Sequence, residues 1–101
     1  MLTWLIALAP LVSGEISGDL RSGGAYLPDV PLVLTCGAET VKGQTDKSGS
    51  FRLRAKSTGK CRLQVTWKEQ SPAVDIVVFE QPSRYRLVLE EHGGKYVLKR
   101  V

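Results

Sequence analysis

The segment Thr45-Asp46-Lys47-Ser48-Gly49-Ser50-Phe51-Arg52-Leu53 lies between the only two cysteines, Cys36 and Cys61, and constrains the fold more than any other stretch. Asp46 can cap its own turn through its carboxylate. Lys47-Ser48 suit the middle of a type I turn, and Gly49 supplies the positive φ with which the strand resumes. Phe51, Leu53 and Ala55 then alternate with Ser50, Arg52, Arg54 and Lys56, the period of a strand with one buried face. The segment reads as a β-hairpin. Asp46 and Gly49 are accordingly structural turn residues, with no chemistry assigned to them.

The segments flanking the cysteines match one another. With Val30–Cys36 and Cys61–Trp67 set antiparallel and Cys36 opposite Cys61, Leu34 faces Leu63, Leu32 faces Val65 and Val30 faces Trp67. Val33, Thr35, Arg62, Gln64 and Thr66 then fall on the other side. A slip of one residue would send the apolar set to solvent, so this register and a Cys36–Cys61 disulfide support each other. Such a crosslink contributes on the order of 3 kcal/mol by the chain-entropy account. It also implies an oxidising compartment. A metal site is not expected, because two cysteines and the single histidine, His92, do not make four ligands.

Residues 1–13 carry no charged side chain and hold an apolar run from Leu2 to Val12. The run falls short of the ~20 apolar residues that span a bilayer. It has the length of a signal-peptide core, and Val12-Ser13-Gly14 places small residues where a peptidase cuts, although no Lys or Arg precedes it. The expectation is a signal peptide over 1–14, a single domain over 15–101, and an exported protein that is periplasmic, secreted or on the cell surface. The other reading of the run is an additional N-terminal strand or buried turn.

The rest of the chain is a succession of short apolar segments with turn residues every eight to twelve positions. No segment carries sustained helical periodicity. Ser22-Gly23-Gly24, Ser57-Thr58-Gly59-Lys60, Lys68-Glu69-Gln70-Ser71-Pro72 and His92-Gly93-Gly94 are the breakers. At 101 residues the chain is long enough for one core. The expected fold class is all-β, a two-layer antiparallel β-sandwich of about seven or eight strands.

Four motifs in order resemble the carboxypeptidase regulatory-like domains, which have a transthyretin-type (prealbumin-like) sandwich. They are Gly14-Glu15-Ile16-Ser17-Gly18, Pro28-Asp29-Val30-Pro31-Leu32-Val33-Leu34, Thr45-Asp46 through Gly49-Ser50-Phe51-Arg52-Leu53, and Gly59-Lys60-Cys61-Arg62-Leu63-Gln64-Val65. Together they span about three-quarters of the chain. Cys61 departs from the family pattern, which has an aromatic residue there. The resemblance implies a transthyretin-like Greek key and a non-catalytic module of exported proteins, here a structural or protein-interaction one. Two alternatives share the topology, a carbohydrate-binding module of starch-binding-like fold and a transthyretin-like small-molecule carrier. The first wants two exposed aromatics, and with Trp67 in the core the candidates are Tyr26, Tyr85 and Tyr96.

Catalytic readings find little in the inventory. A transthyretin-like hydrolase needs several histidines, and a related dioxygenase binds iron through two tyrosines and two histidines. This chain has only His92, placed by Gly93-Gly94 at a solvated hairpin tip beside Glu90 and Glu91. No nucleophile, base and orienting acid come together, so the expectation is that the chain is not an enzyme and uses no cofactor.

The net charge of +4 raises the question of an anionic partner. Arg52, Arg54 and Lys56 share one outward strand face, and Arg84 and Arg86 share another, with Lys99 on the last strand. In a transthyretin-type layout these strands belong to one sheet, so Arg52, Arg54, Arg84 and Arg86 are the candidate surface-binding residues. Glu15, Ser17 and Asp19 face outward on the strand between them and offer cross-strand ion pairs. The expectation is a neutralised face. The expected partner is an extracytoplasmic protein or glycan, without nucleic acid or a stable membrane span, and the chain is expected to be a monomer.

Overall fold

The computed structural model describes residues 14–101, in which nine strands form two sheets packed face to face. β1 (Gly14–Ser22) is the centre of the first sheet. On one side it pairs with β5 (Ser50–Ala55) over its first part, Gly14 to Asp19, and with the two-residue β2 (Ala25–Tyr26) at its end. On the other side lies β8 (Ser83–His92), followed by β9 (Lys95–Arg100). The second sheet runs β4 (Glu39–Gln44), β3 (Pro31–Cys36), β6 (Gly59–Val65), β7 (Ala73–Val78). The chain crosses between sheets after β2, β4, β5 and β7. This is the all-β sandwich with transthyretin-like strand order that the sequence implies. β2 is an added short strand, and β1 and β8 pair in parallel, so the first sheet is mixed.

Alternation explains which side faces in. Ile16 and Leu20 of β1, Phe51, Leu53 and Ala55 of β5, and Leu87 and Leu89 of β8 are buried. They meet Leu32, Leu34, Leu63, Val65, Ile76 and Val78 of the second sheet in one core cluster. Leu34 pairs with Leu63 and Leu32 with Val65, and the Cys36–Cys61 disulfide continues that register with a Cα–Cα distance of 4.4 Å. The last expected pair, Val30 with Trp67, does not form. Lys68 and Glu69 take φ of 50° and 67°, and Trp67 pairs instead with Gln70 across this turn. Trp67 is half-buried against the core.

The Thr45–Gly49 turn has the expected local chemistry and a different place in the fold. Asp46 Oδ1 accepts from the Ser48 and Ser50 amides at 2.8 and 2.9 Å, the Gly49 amide donates to the Asp46 carbonyl at 3.0 Å, and Gly49 has φ of 78°. However, β4 and β5 lie in opposite sheets, so the segment is an inter-sheet crossing and not a β-hairpin. Thr45 explains the crossing. It is fully buried, accepts from the Val30 amide at 2.8 Å and donates to the Leu27 carbonyl at 2.7 Å, which ties the end of β4 to the loop before β3.

The expected leader over 1–14 lies outside the described residues except for Gly14, which pairs with Ala55 as the first residue of β1.

Candidate functional site

The outer surface of the β5-β1-β8-β9 sheet carries the expected basic residues. The β1–β5 register sets Glu15 opposite Arg54 and Ser17 opposite Arg52, while the β1–β8 register sets Ser17 opposite Arg84 and Asp19 opposite Arg86. The four arginines thus stand in two rows with the polar face of β1 between them. The acids of β1 pair with them as expected. Glu15 Oε2 lies 3.0 Å from Arg52 Nε, Glu15 Oε1 lies 3.5 Å from Arg54 Nη2, and Asp19 Oδ2 lies 3.5 Å from Arg84 Nη2.

The expected neutrality does not follow, because two further strands contribute cations. β1 carries Arg21 one residue before its end, and β9 carries Lys95 besides the expected Lys99, so seven cations of the four strands share the face. The acids on it are Glu15, Asp19 and Glu90. On these four strands cations outnumber acids seven to three, with Lys56 just beyond the end of β5 and Asp46 at the rim of the hollow described below. Pairing is also incomplete in space. The side chains of Arg52, Arg54 and Arg84 stay 75%, 74% and 65% exposed. Arg86 and Lys95 are exposed as well. Arg21 and Lys95 lie next to the breakers Ser22-Gly23-Gly24 and His92-Gly93-Gly94, where the sequence leaves the strand ends undefined. The strand alternation that places them outward depends on pairings visible only in three dimensions.

Ser17 is the small residue between Arg52 and Arg84, and a solvent-open hollow of about 430 Å³ lies there, with Gly18, Ser50 and Phe51 in its lining. Asp46 is on its rim, its Oδ1 engaged by the two turn amides. Asp19 is 8% exposed, and its Oδ1 is buried without a hydrogen-bond partner. At the far edge, Glu90 is held below the usual carboxylate value of 4.5, first by the Lys99 ammonium at 3.0 Å and then by His92 at 3.2 Å. His92 is an exposed residue at the β8–β9 turn, as the sequence suggests.

The aromatic candidates for sugar stacking are dispersed. The Tyr85 hydroxyl donates to the Val77 carbonyl at 2.6 Å and accepts from the Val77 amide at 3.2 Å, which blocks the outer edge of β7. Tyr96 is half-buried against the core, with Lys68 Nζ 5.8 Å from its ring and 5.8 Å from that of Trp67. Tyr26 is exposed, with the Arg21 guanidinium 6.0 Å from its ring.

No protein-family model matches the chain, and no curated protein matches it. Solved structures similar to it include a 9R-lipoxygenase from Cyanothece and a candidate cell adhesion protein from Bacteroides fragilis. The first has a TM-score of 0.48 and 15% identity, over 85% of this chain and 18% of that one. The second has a TM-score of 0.48 and 7% identity, over 89% and 45% respectively. The chain thus spans less than half of either. The expectation that the chain is not an enzyme is corrected here. The finding against it is that a lipoxygenase is among the similar chains. Scores at this level carry no argument about what this chain does.

Proposed function

We propose that the chain is an exported interaction module of the carboxypeptidase regulatory-like kind, and that the outer face of the β5-β1-β8-β9 sheet is the surface that meets its partner. The observation that carries this reading is the surplus of cations on that face, seven against three acids on its four strands. Concentrated charge of one sign speeds encounter with an oppositely charged partner. The Cys36–Cys61 disulfide supports the extracytoplasmic part, because such bonds persist where thiols are not kept reduced. The four sequence motifs support the family, and the apolar run over 2–12 supports a cleaved leader, with the mature chain beginning near Glu15.

Fractionation of the native cell tests the reading. The protein is expected outside the cytoplasm, starting near Glu15 and two hydrogens lighter than its reduced form by intact mass. A cytosolic protein that starts at Met1 with two titratable thiols overturns it.

A further inference from the structure

We propose that Arg52 and Arg84 form a clamp over Ser17 that takes the sulfate or carboxylate groups of an acidic polysaccharide. The inference rests on the reading above, in which this face meets the partner, and adds the partner's chemistry.

The strand register builds the clamp. Ser17 is paired with Arg52 on one side and Arg84 on the other, so the two arginine backbones stand two strand spacings apart, about 10 Å. Long side chains from both rows reach the space between. A small serine at the middle position leaves the hollow open there, and a larger residue would fill it.

The acids on β1 orient the arginines without consuming them. Glu15 engages Arg52 at Nε, which leaves both terminal nitrogens of the guanidinium for a second anion. Asp19 Oδ2 lies 3.5 Å from one terminal nitrogen of Arg84, whose side chain stays 65% exposed. A planar guanidinium fixed in this way meets a carboxylate or sulfate edge with two parallel N–H donors and loses less rotamer freedom than a free side chain. Asp46 at the rim has its Oδ1 taken by the Ser48 and Ser50 amides.

A polymer fits better than a single small anion. Arg54 follows Arg52, and Arg86 follows Arg84, at about 7 Å along each strand, so successive anionic groups on one chain are engaged together. The face offers little to other polyanions. Among the described residues its apolar side chains are Val88, half-buried, Val97, 38% exposed, and at the end of β1 a single aromatic, Tyr26, 51% exposed with the Arg21 guanidinium 6.0 Å from its ring, which is no continuous apolar surface to enter lipid. No aromatic ladder runs between the arginines for nucleic-acid bases.

The test is affinity chromatography of the full chain on immobilised heparin at low ionic strength, with DNA resin and phosphatidylserine vesicles in parallel. Wild type is expected to be retained by heparin and released by salt, since exposed charges are screened within about 8 Å at physiological ionic strength. The Arg52→Ser/Arg84→Ser double variant should lose about tenfold or more in affinity, equivalent to ~1.4 kcal/mol. The Lys60→Ser/Arg62→Ser pair removes the same charge from the opposite sheet and should change retention little. The Arg52→Lys/Arg84→Lys pair keeps the charge and loses the fork, and should fall between.

Each variant is checked by thermal melt. If Arg→Ser unfolds the chain, the lysine pair and the opposite-sheet control still decide. Absence of retention by wild type, equal loss in the opposite-sheet control, full retention by the lysine pair, or tighter binding to DNA or vesicles each overturns the clamp. A failure on the column with an exported, oxidised protein removes this inference alone. A cytosolic, reduced protein removes the reading beneath it.

Discussion

At Gly49 and at Gly93-Gly94 the backbone takes the same left-handed conformation, with φ of 78° at the first and 61° and 85° at the second. The surroundings of the two turns have little else in common. A side chain at Gly49 would come within 2.9 Å of Tyr26 Cβ, 3.0 Å of the Leu27 amide and 3.1 Å of the Leu20 carbonyl, and the Gly49 carbonyl accepts from the Leu20 amide at 2.9 Å. At Gly93 and Gly94 a side chain would meet nothing within 4 Å. The turn between β4 and β5 is locked by Thr45, Asp46 and its packing against the end of β1, whereas the turn between β8 and β9 is made by glycine alone and clipped from outside. Gln70 Nε2 donates to the Gly94 carbonyl at 2.8 Å, and the Tyr96 amide donates to Gln70 Oε1 at 2.8 Å. The contrast follows from connectivity, because a crossing between sheets has no ladder of its own to close it and must borrow side chains.

The largest expected effect breaks the packed turn from within. Phe51 is 4% exposed and its ring covers Gly18, its partner on β1. Phe51→Ala should cost roughly 3 to 5 kcal/mol by loss of transfer energy and creation of a cavity. Chemical denaturation measures it, and a loss under about 1 kcal/mol would show that the ring does not fill the core as described. Gly49→Val should follow. Strain at positive φ costs about 1 to 3 kcal/mol, and forced contact with backbone atoms adds to that. Gly94→Ala is the matched change at the open turn and should cost about 1 kcal/mol, from conformation only. Equal costs at Gly49 and Gly94 would remove the distinction between the turns.

Thr45→Val keeps shape and removes the hydroxyl. The Val30 amide and the Leu27 carbonyl then lose their partner inside the core, and leaving such a group unsatisfied costs about 1 to 3 kcal/mol. The expected outcome is a loss in that range, accompanied by faster amide exchange at Val30. Exchange unchanged at Val30 would mean that the loop before β3 is held by something other than Thr45.

These residues also mark how far sequence reasoning reaches. The pairs Leu34–Leu63 and Leu32–Val65, the disulfide between Cys36 and Cys61, and the Asp46 and Gly49 turn were all legible, because period-two alternation and turn chemistry are local rules. The sheet to which β5 belongs was not. A type I turn followed by a positive-φ glycine serves a hairpin and a crossing equally, and only the burial of Thr45 and the pairing of β5 with β1 decide between them. The parallel match of β1 with β8 joins residues nearly seventy positions apart and leaves no local trace. The ion pairs of Glu15 and Asp19 are legible from alternation, whereas the surplus on that face is not, since Arg21 and Lys95 sit at strand ends beside glycine turns and the alternation does not reach them.

The smallest effect expected comes from a third connection, between β5 and β6, which sharpens the comparison by using a charged lock. Glu39, at the start of β4, accepts from the Lys56 amide at 2.8 Å and the Ser57 amide at 2.9 Å. The Lys56 amide, ahead of the other contacts, holds the Glu39 carboxyl below the usual value of 4.5. A group whose pKa is depressed by folding contributes its full stabilisation above the unfolded value and loses it as pH falls through the folded one. The lock is therefore closed at neutral pH and opens in acid, below the ordinary carboxylate range. Glu39→Gln keeps the side-chain length but not the charge, so the melting temperatures of wild type and variant should differ near pH 6 and converge near about pH 3. The carboxylate is exposed, so the gap will be small, and fast amide exchange at Lys56 and Ser57 in the variant locates it. A constant difference across that range would show that Glu39 acts there by shape and not by charge.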